Sequence, residues 1–347
     1  MIKKDTIDKI FEASRVEEVI GDFISLKKSG SNYKGLSPFT NEKTPSFMVS
    51  PVKQIWKDFS SGKGGNVIAF LMEHEHFSYP DALRFLAKKY NILIEETEKS
   101  EEEKQKSNEK EALFLINQFA TKHYIENLIK KDEGISVGLS YLKDRGFSDE
   151  IIEKFAIGYS LDIKDEFFKT AIKSGYQKQN IEKSGLVINN INNIIDRFRG
   201  RIIFPIRSMA GRVQGFGGRI LSKKFKTGKY INSPESIIYI KSKVLYGIYE
   251  SKKSIASQDL CYLVEGYTDV IQMHESGIQN VVSSSGTALS VEQIQIIKRL
   301  TNNVTLLFDS DEAGLNASLR GVDLFLEQGI NVRILIFPNG EDPDSFV

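Results

Sequence analysis

The chain has 347 residues, of which 40% are hydrophobic and 27% are charged. This length suggests two or three domains, and the composition is ordinary for a soluble globular protein. The single cysteine, Cys261, excludes an internal disulfide, and no apolar run is long enough to span a membrane. The N-terminus is amphipathic and mixed in charge, unlike a secretory signal. We therefore expect a cytoplasmic protein.

The first region, residues 1–96, begins with a helical pattern and ends with two predicted short helices around residues 67–71 and 82–86. Between the first helical pattern and these two helices, residues 35–65 have the layout of a small zinc-binding ribbon. Such a ribbon has two pairs of ligand positions, and two residues separate the members of each pair. These four positions hold Ser37, Thr40, Asp58 and Ser61. Hydroxyls and a single carboxylate are poor zinc ligands, and His74 and His76 lie outside the frame. We therefore expect no zinc.

The middle of the chain is separated from the first region by residues 97–111, which are almost entirely charged or polar. This composition predicts a linker or an exposed helical tether. Residues 112–257 then pass from helical patterns to short strands punctuated by glycine. Residues 197–229 carry ten Lys or Arg and no acid, although the net charge of the chain is only +1. Such a cluster binds a polyanion or forms a solvated basic face.

The last region, residues 258–347, alternates apolar strands with helices. Strict alternation predicts a mostly parallel sheet that is covered on both faces. Ligands of such sheets bind beyond the carboxyl ends of the strands. Acidic residues follow the predicted strands at these ends: Glu265, Asp269, Asp309, Asp311, Asp342 and Asp344.

Carboxylates gathered at one edge repel one another unless a cation lies between them, and oxygen-rich clusters suit Mg²⁺ or Mn²⁺. Such an ion serves phosphoryl transfer. Two alternatives remain for individual members, because Asp269 can cap a helix, and Asp342 and Asp344 can belong to a turn. We therefore rank Glu265, Asp309 and Asp311 above the others.

Several of these motifs resemble known domains. The segments "VEGYTDVI", "LLFDSDEAG" and "GEDPDSF" resemble the Toprim domain, and "DRFRGRIIFPIRSMAGRVQGFGGRIL" with "KYINSPES" and "KVLYGIYES" resembles the catalytic core of bacterial DnaG-type primases. The segments "SPFTNEKTPSFMVSP" and "GKGGNVIAFLME" are similar to that family's N-terminal zinc-binding domain. The resemblance implies an α+β multidomain protein. Its parts are a zinc-ribbon-like domain without zinc ligands (1–96), a linker (97–111), a mixed α/β subdomain (112–257) and a Toprim α/β domain (258–347).

The resemblance also implies roles for residues. The family's catalytic, metal-binding acids fall on Glu265, Asp309 and Asp311, with Asp269, Asp342 and Asp344 as neighbours. The basic ridge that holds template and nucleotide falls on these positions: Arg199, Arg201, Arg219, Lys229, Asn232 and Lys241. The family's zinc ligands, Cys, His, Cys and Cys, fall on the four positions of the frame. Gly215, Gly217 and Gly218 give a nucleic-acid strand access to the backbone, or they punctuate a hairpin.

The function implied by the resemblance is that of a DNA primase, a DNA-templated RNA polymerase that uses Mg²⁺ or Mn²⁺. Its implied partners are single-stranded DNA, ribonucleoside triphosphates and, through a C-terminal domain beyond this chain, the replicative helicase. We expect a monomer. Two alternatives use the same features: a Toprim topoisomerase or nuclease, and a non-catalytic module that binds single-stranded DNA.

Overall fold

The computed structural model describes residues 2–75, 77–95, 101–190, 193–221, 228–286, 289–308 and 321–336. The chain divides into two compact units, Met1–Lys104 and Gln105–Val347. None of the helices within the described ranges is both long enough and apolar enough to cross a lipid bilayer.

The first unit packs short helices against an antiparallel sheet. Its described helices are α1 (Lys4–Ala13), α2 (Val16–Gly21), α3 (Val67–His74) and α4 (Tyr79–Lys89). Its described strands are β1 (Lys27–Ser29), β2 (Asn32–Gly35), β3 (Phe47–Ser50), β4 (Ile55–Asp58) and β5 (Gly64–Gly65). The strands follow one another in the sheet in chain order, and each pairs antiparallel with the next.

The core of this unit contains a cluster of aromatic rings among aliphatic side chains. The rings of Phe47 and Trp56 stack with centroids 5.3 Å apart, and Phe70 of α3 meets Trp56 edge-on at 5.8 Å. The indole Nε1 of Trp56 donates a hydrogen bond to the main-chain oxygen of Asn66 (2.9 Å), which satisfies the polar atom of this buried ring. The side chain of Asn66 caps α3 by accepting from the main-chain N of Ala69. Sheet and helices therefore share one hydrophobic core.

The described residues of the second unit form two four-stranded sheets and a two-stranded hairpin. Its described helices are α5 (Glu101–Lys130, which begins in the first unit), a π-helix (Gly134–Leu139), α6 (Ser140–Asp144), α7 (Asp149–Lys154), α8 (Glu166–Lys173), α9 (Lys178–Lys183), a 3-10 helix (Lys241–Lys243), α10 (Ile248–Gln258), α11 (Tyr267–Glu275), α12 (Val291–Lys298) and a helix over residues 321–327. Its described strands are β6 (Gly158–Ser160), β7 (Val187–Asn190), β8 (Asn193–Asp196), β9 (Arg201–Arg207), β10 (Val213–Ile220), β11 (Tyr230–Asn232), β12 (Cys261–Val264), β13 (Val281–Ser283), β14 (Asn303–Phe308) and β15 (Asn331–Ile336).

The first of these sheets has the strand order β11-β10-β9-β6, with antiparallel neighbours. Its strand β9 is apolar and buried through most of its length, as a central strand requires. Aromatic rings pack directly on the glycines of β10. Added Cβ atoms at Gly215, Gly217 and Gly218 would lie 2.7, 2.3 and 2.6 Å from the rings of Tyr239, Tyr267 and Phe198, respectively. These glycines therefore make room for ring packing, which neither of the two interpretations from the sequence included.

The second sheet has the order β13-β12-β14-β15, and all its neighbouring strands are parallel. The alternation of strands and helices in the last region predicted this arrangement. The α+β multidomain class with a mostly parallel C-terminal sheet is confirmed. Because β12 and β14 are parallel neighbours, their carboxyl ends lie at the same edge of the sheet.

Candidate active site

A cavity of about 420 Å³ opens beyond the carboxyl end of β12. Its lining combines two acids, Glu265 and Asp269, with three cations, Arg145, Arg219 and Lys229. Four of these five residues were singled out from the sequence. The edge of the parallel sheet is the place where such folds bind ligands.

The position of Glu265 follows from the sheet. Glu265 is the first residue after β12, and its main-chain oxygen accepts a hydrogen bond from the hydroxyl of Ser283 (2.6 Å) at the end of β13. This bond ties the turn that carries Glu265 to the neighbouring strand. The other four acids predicted at this edge lie outside the described residues: Asp309, Asp311, Asp342 and Asp344.

The described acids fit a divalent cation in their chemistry. Carboxylate oxygens, which Glu265 and Asp269 supply, are the donors that Mg²⁺ prefers. One oxygen of Asp269, Oδ2, accepts a hydrogen bond from the main-chain N of Gly266 (2.8 Å), so this carboxylate also caps α11. Within the described ranges, no three His, Cys, Asp or Glu side chains come together as a metal-binding group.

Two residues of the predicted ridge line the cavity, Arg219 and Lys229. The guanidinium of Arg219 lies over the rings of Tyr141 (4.9 Å) and Tyr230 (5.5 Å) and donates a hydrogen bond to the hydroxyl of Tyr230 (3.0 Å). Asn232 does not line the cavity but bonds to two residues that do, Tyr267 and Ser285. It accepts a hydrogen bond from the hydroxyl of Tyr267 (2.7 Å) and donates one to the main-chain oxygen of Ser285 (3.1 Å).

The other predicted ridge residues do not line this cavity. Arg201 is only 3% exposed, and its guanidinium donates to the main-chain oxygens of Gly218 (3.3 Å) and Gly228 (3.2 Å). Burial lowers the pKa of Arg201 from its ordinary value. Arg199 pairs with Asp162 at 2.8 Å, and Lys241 begins the 3-10 helix.

Arg145 is a lining residue that the sequence interpretation missed. It lies directly after α6, far in sequence from the basic cluster of residues 197–229. Its own segment, "SYLKDRGFSDE", is mixed in charge, so no local count of cations distinguishes it. Only the fold brings it to Arg219, where Tyr141 contacts both arginines.

Asp58, one of the four positions of the ribbon frame, is fully buried, and the other three lie close to it. Asp58 accepts hydrogen bonds from the hydroxyls of Ser37 (2.8 Å) and Ser61, and Thr40 contacts Ser60, which also bonds to Asp58. Burial raises the pKa of Asp58, but the bonds from Ser61 and Ser37 outweigh this effect. The result is a pKa below the ordinary aspartate value.

Comparisons with known proteins cover most of the chain. Residues 2–102 match the CHC2 zinc finger, residues 123–252 match the DNA primase catalytic core, N-terminal domain, and residues 262–347 match a Toprim-like domain. In sequence, the chain is 38% identical to the DNA primase of Clostridium acetobutylicum and 37% identical to that of Staphylococcus aureus. Both alignments span the whole of this chain. They cover 57% and 58% of the relatives, respectively.

Solved structures agree with this result. The crystal structure of the Aquifex aeolicus primase, with its zinc-binding and RNA polymerase domains, is 34% identical and has a TM-score of 0.64. That match covers 98% of this chain and 81% of the other. The chain belongs to the DnaG primase family. A DnaG primase catalytic domain bound to single-stranded DNA is 36% identical, with a TM-score of 0.65, over 70% of this chain and 75% of that one.

The primase resemblance stated from the sequence is confirmed, and the topoisomerase or nuclease alternative is not favoured. The prediction of no zinc is wrong in the light of the CHC2 zinc finger match over residues 2–102, which points to zinc binding. The prediction was based on the residue types at the four ligand positions and on the absence of a histidine within the frame, whereas the match extends over residues 2–102. The rest of the domain kept the pattern of its family. The side-chain oxygens at the frame are engaged in hydrogen bonds and do not fit the thiolate and imidazole set of a tetrahedral zinc centre.

We expect Gly217→Ala to destabilise the second unit by about 1–3 kcal/mol, because the new methyl group overlaps the ring of Tyr267. That ring is stacked on Phe204 at 5.1 Å and bonded to Asn232, so it has little freedom to move. Urea unfolding followed by circular dichroism measures the change. Gly321→Ala is the matched control, because the nearest atom of the described residues to a methyl group there is Cδ1 of Leu306, at an ordinary contact distance of 3.4 Å. Equal midpoints for both variants would contradict the packing role.

Proposed function

We propose that this chain is the catalytic part of a DNA primase, a nucleotidyltransferase that joins ribonucleotides into a short RNA primer on single-stranded DNA. The observation that carries the proposal is the cavity that combines Glu265, at the end of β12, with Arg145, Arg219 and Lys229. Family membership supports it. The chain spans little more than half the length of the curated relatives it matches.

The cations of the cavity suit phosphate ligands. The guanidinium forks of Arg145 and Arg219 can bind phosphate oxygens in a bidentate manner, and Lys229 adds a point charge. We propose that these groups hold the template strand and the triphosphate of the incoming ribonucleotide. The role implied by the family stays a prediction for Arg199, Arg201, Asn232 and Lys241. The hydrogen bonds of Arg201 and Asn232 support a second role, in which these two side chains hold neighbouring strands and loops in place.

The acids of the cavity suit a divalent cation. Glu265 would hold Mg²⁺ or Mn²⁺ together with Asp309 and Asp311, which follow β14 in the sequence. Such an ion supplies charge neutralisation at the triphosphate and activation of the attacking hydroxyl. In the proposed reaction, the 3′ hydroxyl of the growing RNA attacks the α-phosphorus. The bond to the bridging oxygen breaks, and pyrophosphate leaves.

A primer-synthesis assay tests this function. The purified chain is incubated with a single-stranded template, the four ribonucleoside triphosphates and Mg²⁺ or Mn²⁺, with and without a replicative helicase as the proposed partner. We expect short RNA products and stoichiometric pyrophosphate. Binding of the template without any ribonucleotide incorporation, under all these conditions, would favour the non-catalytic binding module instead.

A further inference from the structure

Tyr141 contacts two of the three cations that line the cavity. Its ring centroid lies 4.9 Å from Cζ of Arg219 and 5.9 Å from Cζ of Arg145. Its hydroxyl accepts a hydrogen bond from Nη1 of Arg145 at 3.3 Å. A guanidinium at such a distance from a tyrosine ring is attracted by the negative face of the ring.

The two arginines come from distant parts of the chain. Arg145 is the residue directly after α6 and lies four residues after Tyr141 in the sequence. Arg219 belongs to β10, in the antiparallel sheet. Two like charges brought together in this way repel each other, and a neutral aromatic ring in contact with both reduces the cost of holding them close. Burial raises the pKa of Tyr141, so its hydroxyl keeps its proton at neutral pH.

The segment before Tyr141 is built for close packing. The π-helix ends one residue before α6, and this rare helix type often marks functional segments. A Cβ atom at Gly134 would lie 1.8 Å from the main-chain oxygen of Asn127, and one at Gly138 would lie 3.0 Å from the ring of Tyr159. A side chain at position 134 would collide with the main chain of α5, so glycine allows the π-helix to lie directly against α5 and to continue into α6, which carries Tyr141.

Arg219 is held on its second side as well. Tyr230 of β11 accepts a hydrogen bond from Nη1 of Arg219 at 3.0 Å, and its ring centroid lies 5.5 Å from Cζ. Arg219 and Lys229 also line a second groove of about 410 Å³, together with Tyr141, Ser136 and Ser140. Arg219 therefore lines both cavities, and its contacts with Tyr141 and Tyr230 fix the orientation of its guanidinium group.

We propose that Tyr141 is a positioning residue that holds the guanidinium groups of Arg145 and Arg219 together, so that both bind phosphate groups of one ligand. The inference rests on the proposed function only in its choice of ligand. Phosphates come from two sources here, the single-stranded template and the ribonucleoside triphosphate. Preorganised guanidinium groups lose less conformational entropy on binding, which favours affinity over turnover.

Three variants separate the contributions of the ring and the hydroxyl. Tyr141→Phe keeps the ring and removes the acceptor for Arg145, whereas Tyr141→Leu fills the space without a π face and Tyr141→Ala removes the side chain. We expect Tyr141→Leu and Tyr141→Ala to weaken binding of a single-stranded oligonucleotide and of ATP by about tenfold, and Tyr141→Phe by about twofold. For Tyr141→Leu and Tyr141→Ala, we expect the slope of the logarithm of the oligonucleotide binding constant against the logarithm of the salt concentration to become shallower by about one.

Fluorescence anisotropy measures the affinity for a labelled oligonucleotide and, separately, for labelled ATP, each at several salt concentrations. Where primer synthesis is observed, KM for ribonucleotides should rise with little change in kcat. Tyr249→Ala is the matched control, because its ring lies over Arg207 (5.6 Å) and Lys252 (4.7 Å) but does not line either cavity. Circular dichroism melts of all variants identify any that fail to fold.

Unchanged affinities and salt slopes in Tyr141→Leu would overturn the inference, even if Tyr141→Ala does not fold. A loss of affinity for only one of the two ligands would show that both arginines bind the phosphates of that ligand. Failure of the wild-type chain to make primers would contradict the proposed function. The binding measurements would still decide the role of Tyr141.

Discussion

Replacing Glu265 with glutamine should reduce primer synthesis by about a thousandfold, equal to about 4 kcal/mol of transition-state stabilisation. Glutamine has the size of glutamate but carries no charge, so it removes the carboxylate that we propose as a cation ligand. We propose that the template is held mainly by the cations of the cavity. Its affinity should therefore stay within about twofold of the wild-type value, or rise slightly as a nearby negative charge is lost.

The measurement compares initial rates of ribonucleotide incorporation at saturating template with the Kd for the same template. Glu292→Gln is the matched control, because Glu292 is an exposed residue in the first turn of α12 and does not line the cavity. It should leave both quantities unchanged. Glu265→Gln with wild-type rates, or with a template affinity reduced as much as the rate, would refute the assignment of Glu265 as a catalytic residue.

The edge of the parallel sheet was predictable because its signal is local. Apolar strands, helices and strand-end acids follow one another within residues 258–347, and the rule that ligands lie beyond the carboxyl ends of strands places Glu265 without knowledge of the tertiary structure. The structure places Glu265 at the cavity. The same rule was applied to Asp309 and Asp311, which lie outside the described residues.

The basic side of the site was less predictable because it is assembled from distant segments. Arg201 belongs to the basic cluster by sequence, yet its guanidinium is buried among main-chain oxygens of β10 and the segment before β11. Arg145 and Tyr141 lie outside the cluster, yet Tyr141 contacts Arg219, and Arg145 lines the same cavity as Arg219. A one-dimensional count of charges does not distinguish a cation that satisfies the backbone from one that faces a ligand.

The role of the glycines of β10 was also not predictable from the sequence. Close approach of nucleic acid and a hairpin turn are both reasons to place glycine in a strand, and the sequence does not contain the partner that needs the space. The structure supplies it, because aromatic rings from three other segments lie against these positions. Packing of this kind depends on tertiary contacts and is not encoded in local propensity.

The ribbon frame gives the second prediction with a large effect. Asp58 accepts hydrogen bonds on both oxygens from serine hydroxyls, including those of Ser37 and Ser46 (2.8 and 3.1 Å). Asp58→Asn keeps the shape but turns one acceptor into a donor, so the hydroxyl groups on that side must rotate to accept and lose their bonds to a charged carboxylate. We expect the free energy of unfolding of the first unit to fall by about 2–4 kcal/mol, since bonds to a buried charged acceptor are lost.

Trp56 provides a probe for this unit. It is the only tryptophan in the chain, and it is 2% exposed in the core of the first unit. Its fluorescence during urea unfolding therefore reports on that core alone. Asp8→Asn is the matched control, because Asp8 is an exposed residue of α1. A shift of the midpoint as small as that of Asp8→Asn would contradict the role of Asp58.

The pH dependence gives an independent check on the same residue. The pKa of Asp58 is lowered in the folded state, so the folded protein favours the ionised carboxylate more strongly than the unfolded chain does. The stabilisation is therefore fully present above the ordinary aspartate pKa of 3.8 and is lost as the pH falls below it towards the folded-state value. Wild type and Asp58→Asn should differ most near neutral pH and approach each other in acid. A difference that stayed constant from pH 7 to pH 3 would mean that packing around the side chain, and not its charge, stabilises the frame.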